Sequence, residues 1–188
     1  MLPNLLTLLR IAIIPIFIGV FYWPSAWSNF MCTALFGVAA LTDWLDGYLA
    51  RRWEQTSAFG AFLDPVADKL LVAAALVLLV QAIPTPLMAV AATVIIGREI
   101  AISALREWMA QLGSRSKIAV SMLGKIKTTA QMTALLLLLY RDPIFGIPIL
   151  EIGLVLLVIA AGLTLWSMVN YLLLAWPELK NRKALDVS

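Results

Sequence analysis

The sequence predicts an all-α membrane protein with six transmembrane helices, and three observations support this prediction. Hydrophobic residues make up 62% of the 188 residues, against roughly 45–50% in an ordinary soluble domain. Charged residues make up only 13%, where roughly 25% is usual. Prolines and polar clusters divide the chain into six apolar stretches, at about residues 5–23, 29–50, 59–81, 87–108, 118–140 and 149–174. Because a spanning helix needs about 20 residues, this length leaves no room for a separate soluble domain.

Charged residues interrupt several of these stretches, and their positions indicate possible structural or functional roles. Arg10 lies inside the first stretch and no A-x-A site follows, which indicates a spanning helix rather than a cleaved signal. Four aspartates lie at the end of the second stretch and the start of the third. Arg98 and Glu99 stand within the fourth stretch, and Lys125 and Lys127 lie near the start of the fifth. The sixth is a Leu-rich run, which predicts packing and lipid-facing surface.

Basic residues are distributed unevenly between the loops. Of the 14 lysines and arginines, only Arg141 falls on the side of the first, third and fifth loops. The positive-inside rule therefore predicts that both termini and the polar site face the cytoplasm. The net charge of +3 has the same origin, so no nucleic-acid partner is expected.

Two absences exclude several kinds of site. The chain contains no histidine, which excludes a Ser-His-Asp site and a His-ligated zinc or haem. Cys32 is the only cysteine, so neither an intrachain disulfide nor a cysteine-based metal site is possible.

The four aspartates form two pairs with helical spacing. Asp43 and Asp46 are three residues apart, and Asp64 and Asp68 are four apart, so each pair shares one helix face. Helices joined by a short loop are expected to be antiparallel neighbours, which brings the pairs together. Pro65 is expected either to start or to kink the third helix.

Four carboxylates in a partly dry site repel one another unless cations bind between them. All-oxygen coordination favours Mg²⁺ or Mn²⁺, with Ca²⁺ as a further possibility. Four aspartates are enough to hold two such ions. The sequence therefore predicts a site for divalent metal and phosphate.

The aspartates belong to a longer pattern, D-x-x-D-G-x-x-A-R-x(8)-G-x(3)-D-x(3)-D, which adds Gly47, Ala50, Arg51 and Gly60. The small residues leave room for a ligand close to the backbone. A chance match to eight fixed positions is on the order of 10⁻¹⁰ per starting residue. The alternative reading, solvated aspartates near a helix end, does not explain the pattern.

This pattern resembles the signature of the CDP-alcohol phosphatidyltransferases, without a departure at any position. Other segments are similar to the bacterial branch of that family, which makes phosphatidylglycerophosphate: residues 3–10, 97–99, 103–107 and 124–131. The resemblance implies one family domain over residues 1–188, a multi-pass protein of the bacterial inner membrane and a homodimer.

The resemblance also implies a reaction and its site residues. A phosphatidyl group would pass from CDP-diacylglycerol to sn-glycerol 3-phosphate, giving phosphatidylglycerophosphate and CMP. Asp43, Asp46 and Asp64 would be the principal ligands of two divalent ions, and Asp68 both a ligand and the general base. The remaining signature residues would shape the CDP-diacylglycerol site, namely Gly47, Ala50, Arg51 and Gly60. For Arg51, a role in anchoring the topology is the alternative.

Four basic residues on the fourth and fifth stretches predict a pocket for the phosphate of an acceptor: Arg98, Arg106, Lys125 and Lys127. Snorkelling to the interface is the alternative for all four, and neutralisation of Glu99 is the alternative for Arg98. Lys69 is expected to be a charge partner of Asp68. Asn4 and Thr7 are candidates for substrate binding on the resemblance, or for capping the first helix.

Two other functions remain open. A sister phosphatidyltransferase that uses inositol phosphate, serine or another alcohol would share the motif. A divalent-cation transporter, lined by the same aspartates, is the alternative from another class. A transporter would need acids across the whole membrane depth, and Asp142 and Glu151 are isolated from the cluster.

Overall fold

The protein is a bundle of six α-helices. The computed structural model describes residues 2–53, 58–111 and 122–183, together with the side chains of residues 7–43, 66–105 and 126–170 and a few others. The helices are α1 (Leu2–Phe21), α2 (Ser28–Trp53), α3 (Ala58–Ala82), α4 (Pro86–Gln111), α5 (Met122–Tyr140) and α6 (Ile149–Lys183). Within the described ranges there is no strand beyond one isolated bridge, between Ile144 and Ile147. The prediction of an all-α fold is confirmed for these residues.

The helix bounds follow the six apolar stretches, with one main difference, at the end of α6. α6 has 35 residues and ends at Lys183, beyond the predicted end at 174. At 1.5 Å per residue it is about 52 Å long, so it exceeds a hydrocarbon core of about 30 Å. The polar residues after 174 therefore continue the helix beyond its apolar part. α3 begins at Ala58, ahead of Pro65, so the prediction that Pro65 starts this helix is wrong.

Each helix packs against at least two others in the described part of the chain. α1 packs against α2 and α3, α6 packs against α4 and α5, and α2 also contacts α5. In the described part of the chain, α2 and α3 share α1 as a neighbour and do not pack extensively on each other. In these residues α1 contacts both helices, and the expectation that α2 and α3 are direct neighbours next to their connection stays a prediction. The core between the helices is apolar: Phe17 and Phe36 are fully buried, with ring centroids 6.3 Å apart.

The first, third and fifth connections meet at one end of the bundle. The Tyr22 hydroxyl donates to Oε1 of Gln81, which joins the first connection to the end of α3, directly before the third connection. Arg141 Nη2 donates to Oδ1 of Asn29 at 2.8 Å, which joins the fifth connection to the start of α2. The other end of the bundle carries Asp43, towards the end of α2.

Two of the described segments, Pro86–Leu105 and Ile149–Asn170, are long and apolar enough to cross a membrane. Thr7–Phe21 and Ile126–Tyr140 are shorter apolar segments. Many large apolar side chains are exposed on the bundle surface, for example Val90, Ile100, Val155 and Trp166. Such a surface is typical of a protein in contact with lipid.

Candidate active site

The first element of the site is an ion pair between α1 and α2. Arg10 Nη1 lies 2.7 Å from Oδ1 of Asp43, and the Arg10 side chain is fully buried. An arginine inside an apolar helix is costly unless its charge is compensated, and the Asp43 carboxylate compensates it here. The Asp43 side chain is 42% exposed. Arg10 therefore holds one carboxylate oxygen of Asp43, and the Asp43 side chain as a whole remains partly accessible.

Asp68 joins this pair from α3. It is half-buried and interacts electrostatically with Asp43, Arg10, Glu99 and Lys69. The structure thus brings together two of the four predicted carboxylates, one from α2 and one from α3. α1 carries the buried cation Arg10, which is paired with Asp43 and interacts electrostatically with Asp68.

The other signature positions have a known place on the helices. Asp46 lies about one turn after Asp43 on α2, and Asp64 about one turn before Asp68 on α3. The side chains of both lie outside the described residues, as do those of the predicted nucleotide-site positions Gly47, Ala50, Arg51 and Gly60. Among the side chains that the structure describes, no three His, Cys, Asp or Glu residues are grouped to hold a metal.

Beyond the aspartates, a cluster of three charges joins α4 to α5. Arg98 Nη1 lies 2.7 Å from Oε1 of Glu99, and Lys127 Nζ lies 3.3 Å from the same oxygen. The side chains are largely buried, with 11% of Arg98, 5% of Lys127 and 29% of Glu99 exposed. Two predicted phosphate-binding cations therefore lie side by side. The alternative in which Arg98 neutralises Glu99 also holds, because Glu99 contacts both cations.

Hydrogen bonds connect this cluster to two further helices. Arg98 Nη2 donates to Oγ of Ser167 on α6 at 3.1 Å. Ser103 Oγ donates to the backbone oxygen of Glu99 at 2.6 Å and accepts a hydrogen bond from Lys69 Nζ on α3. Lys69 directly follows Asp68, so the cationic cluster is tied to the helix that carries the candidate base.

Two predicted candidates for substrate binding lie on α1. Asn4 and Thr7 are both inside this helix, which begins at Leu2, so the alternative that they cap it is wrong. Thr7 is fully buried, whereas the side chain of Asn4 lies outside the described residues. The side chains of the other two predicted phosphate-binding residues, Arg106 on α4 and Lys125 on α5, also lie outside them.

Comparison with known proteins identifies the family. A family model described as CDP-alcohol phosphatidyltransferase matches residues 1–166. The chain belongs to this family. The CDP-alcohol phosphatidyltransferase match therefore covers all of the candidate site residues except Ser167.

Curated relatives resemble the chain over nearly its whole length. Proteins of Escherichia coli (strain K12) and of Shigella flexneri serotype 5b (strain 8401) are each 54% identical to it over 178 residues. The matched region covers 95% of this chain and 96% of each relative. Both relatives are named CDP-diacylglycerol–glycerol-3-phosphate 3-phosphatidyltransferase.

Within this CDP-alcohol phosphatidyltransferase, three site residues had no predicted site role. Arg10 indicates a spanning helix and belongs to the segment 3–10 that resembles the family, and an arginine in an apolar run already calls for a carboxylate partner. Ser103 belongs to the similar segment 103–107 without an assigned role, whereas Ser167 carries no signal in the sequence. A serine in an apolar helix commonly bonds to its own backbone, as Ser167 does in donating to the Thr164 oxygen at 3.1 Å.

Proposed function

We propose that this chain transfers the phosphatidyl group of CDP-diacylglycerol to sn-glycerol 3-phosphate, giving phosphatidylglycerophosphate and CMP. The observation that carries the proposal is the 54% identity, over 95% of the chain, to relatives named for this reaction. The site supports the same assignment, because two largely buried cations lie near a carboxylate-bearing helix. Such cations suit an acceptor that carries a phosphate.

For the chemical step, we assign the proton acceptor to Asp68. Its carboxylate takes the proton of the acceptor hydroxyl, whose oxygen then forms a bond to the diacylglycerol-linked phosphorus. The bond between this phosphorus and the bridging oxygen of CMP breaks, and CMP leaves with the electron pair. Arg98 and Lys127 hold the acceptor phosphate, with Arg106 and Lys125 as further candidates.

We assign two divalent ions, Mg²⁺ or Mn²⁺, to Asp43, Asp46, Asp64 and Asp68. The donor chemistry supports this assignment, because all four residues offer carboxylate oxygens and the Asp43 side chain is 42% exposed although Arg10 contacts its Oδ1. Bound there, the ions offset the charge that develops on the phosphoryl oxygens and on the CMP leaving group. The cytidine nucleotide is assigned to Gly47, Ala50, Arg51 and Gly60, and Asn4 and Thr7 are kept as candidates for substrate contact.

We place the protein in the bacterial inner membrane with six spans, both termini and the active site in the cytoplasm. The positive-inside rule supports this orientation, because Arg141 is the only basic residue on the side of the odd-numbered loops. Those loops meet at one end of the bundle, opposite the end of α2 that carries Asp43. A homodimer is the expected assembly from the family resemblance.

The experiment that tests the proposed function is a CMP-release assay on the purified chain with a panel of acceptors. We expect CMP release from CDP-diacylglycerol with glycerol 3-phosphate and little with inositol or serine, which carry no phosphate. Inositol phosphate is the informative competitor, because it offers the same dianion to Arg98 and Lys127. CMP release with inositol phosphate or serine, but not with glycerol 3-phosphate, would overturn the assignment of the acceptor and leave the family membership unchanged.

A further inference from the structure

The cluster at Glu99 has an unusual arrangement of charge. Two cations from different helices, Arg98 on α4 and Lys127 on α5, contact one oxygen of a single carboxylate. Two positive charges that share one carboxylate oxygen repel each other strongly when they are largely buried, because little water screens them. The Glu99 carboxylate offsets this repulsion, and the three side chains together carry a net charge of +1.

Arg98 is also held from a second direction. Its Nη1 atom contacts Glu99, while Nη2 donates to Ser167 Oγ on α6. The Ser167 hydroxyl proton is directed to the backbone oxygen of Thr164, so the hydroxyl oxygen accepts from Arg98. Two contacts through different nitrogens fix the plane of the guanidinium group, which matters for a bidentate contact with phosphate.

The backbone of Glu99 is tied to the other half of the site. Its carbonyl oxygen accepts a hydrogen bond from Ser103, and Ser103 in turn accepts one from Lys69. Lys69 lies next to Asp68 in the chain. The cations and the candidate base are thereby held in one hydrogen-bonded frame that spans α3 to α6.

We propose that Glu99 and Ser167 are positioning residues that hold Arg98 and Lys127 in place for the acceptor phosphate. The inference rests on the proposed function and extends it to two residues that it leaves without a role. They act through the cations and touch neither the donor nor the reacting phosphorus. Their contribution is therefore to the affinity for phosphorylated acceptors.

A positioning role for Glu99 and a role as an anion that competes with the acceptor phosphate predict opposite changes in the KM for the acceptor. If the Glu99 carboxylate merely occupied the place of the phosphate, removing its charge would lower the KM for the acceptor. If it positions the cations, removing its charge lets them move apart and raises that KM. The direction of the change therefore separates the two roles.

The decisive variant is Glu99→Gln, which keeps the shape of the side chain and removes its charge. We expect the KM for glycerol 3-phosphate to rise about tenfold, equivalent to about 1.4 kcal/mol, with kcat and the KM for CDP-diacylglycerol within about twofold. The inhibition constant of inorganic phosphate, used as an acceptor-site probe, should rise in parallel. Glu151→Gln is the matched control, because it makes the same change on an exposed residue in the first turn of α6.

A second pair of variants tests Ser167 independently of the charge. Ser167→Ala removes the hydroxyl that accepts from Arg98, and we expect the acceptor KM to rise about threefold. Ser167→Thr restores a hydroxyl that can bond to the same backbone oxygen, so it should return the acceptor KM towards the wild-type value. This pair also keeps the test decisive if Glu99→Gln does not fold.

The outcomes distinguish failure of this inference from failure of the proposed function. An unchanged or lower acceptor KM in Glu99→Gln, or equal KM values in Ser167→Ala and Ser167→Thr, would overturn the positioning role. In either case, turnover of glycerol 3-phosphate by the wild type would leave the proposed function standing. A wild type that does not use glycerol 3-phosphate would overturn the proposed function itself.

Discussion

At the scale of single residues, the site depends on charges that are compensated within the bundle. Arg10 is fully buried against Asp43, and Glu99 is shared by Arg98 and Lys127. Removing one partner from such a pair leaves the other charge uncompensated in a place with little water. Each substitution therefore has consequences for its partner as well as for the residue that is changed.

Replacing Arg10 tests the α1–α2 ion pair. Breaking a fully buried pair costs roughly 3–5 kcal/mol, and we expect Arg10→Met to cost less because part of the Asp43 side chain is exposed. We expect a lower melting temperature in detergent and at least about a tenfold loss of kcat/KM for CDP-diacylglycerol, because Asp43 loses its fixed orientation. Arg10→Lys, which keeps the charge, should retain more activity. Wild-type turnover in Arg10→Met would show that the pair does not position Asp43.

Replacing Asp68 tests its assignment as the general base. We expect Asp68→Asn to bind CDP-diacylglycerol in the presence of metal and to lose turnover by roughly 10²-fold or more. The measurement pairs donor binding with CMP release on the same folded sample. Equal losses of binding and turnover would instead assign Asp68 to metal binding alone.

At the scale of helices, α5 and α6 form a close pair. A Cβ added at Gly153 on α6 would lie 2.9 Å from Leu138 Cγ and 3.2 Å from Leu137 Cβ, both on α5. At Gly162, also on α6, an added Cβ would meet no atom within 4 Å. Gly153 therefore allows the close approach of the two helices, whereas Gly162 has no such role in the described packing.

These two glycines give a matched pair of substitutions. Gly153→Ala should destabilise the protein by about 1–3 kcal/mol through overpacking against α5. Gly162→Ala should leave stability unchanged or raise it by up to about 1 kcal/mol, because alanine is the better helix former. Thermal unfolding in one detergent measures both. Equal melting temperatures for the two variants would contradict the close α5–α6 contact at Gly153.

How much of each element the sequence predicts depends on the kind of interaction involved. Apolar stretches predict the helices well, because burial and helix formation depend on consecutive residues. The apolar pattern ends at residue 174, so it does not predict the polar continuation of α6 to Lys183. The contacts of α1 with both α2 and α3 depend on packing between distant segments, which no local pattern encodes.

The candidate site also contains residues that the sequence predicts and contacts that only the fold reveals. Asp43, Asp68, Arg98 and Lys127 are recognisable because a charge in or beside an apolar stretch needs a reason. The Arg98–Ser167 contact joins α4 to α6 across 69 positions of the chain. Serine is unremarkable in a helix, so only the fold reveals this contact.

At the scale of the whole molecule, the account places the site and both termini on one side of the membrane. The single native cysteine, Cys32, is fully buried, so an introduced cysteine reports its own position after Cys32 is replaced by serine. Trp27→Cys in the first connection should react with a membrane-impermeant maleimide in intact spheroplasts. Glu107→Cys, near the opposite end on α4, should react only after permeabilisation. The reverse pattern would contradict the orientation.

The central claim is that this bundle joins a phosphatidyl group to glycerol 3-phosphate. The most direct measurement follows isotope-labelled glycerol 3-phosphate into lipid with purified protein, CDP-diacylglycerol and Mg²⁺ or Mn²⁺, and determines the mass of the lipid product. We expect labelled phosphatidylglycerophosphate to form in equal amount to CMP, and none to form after chelation of the divalent ions. CMP release without labelled lipid, or undiminished synthesis after chelation, would contradict it.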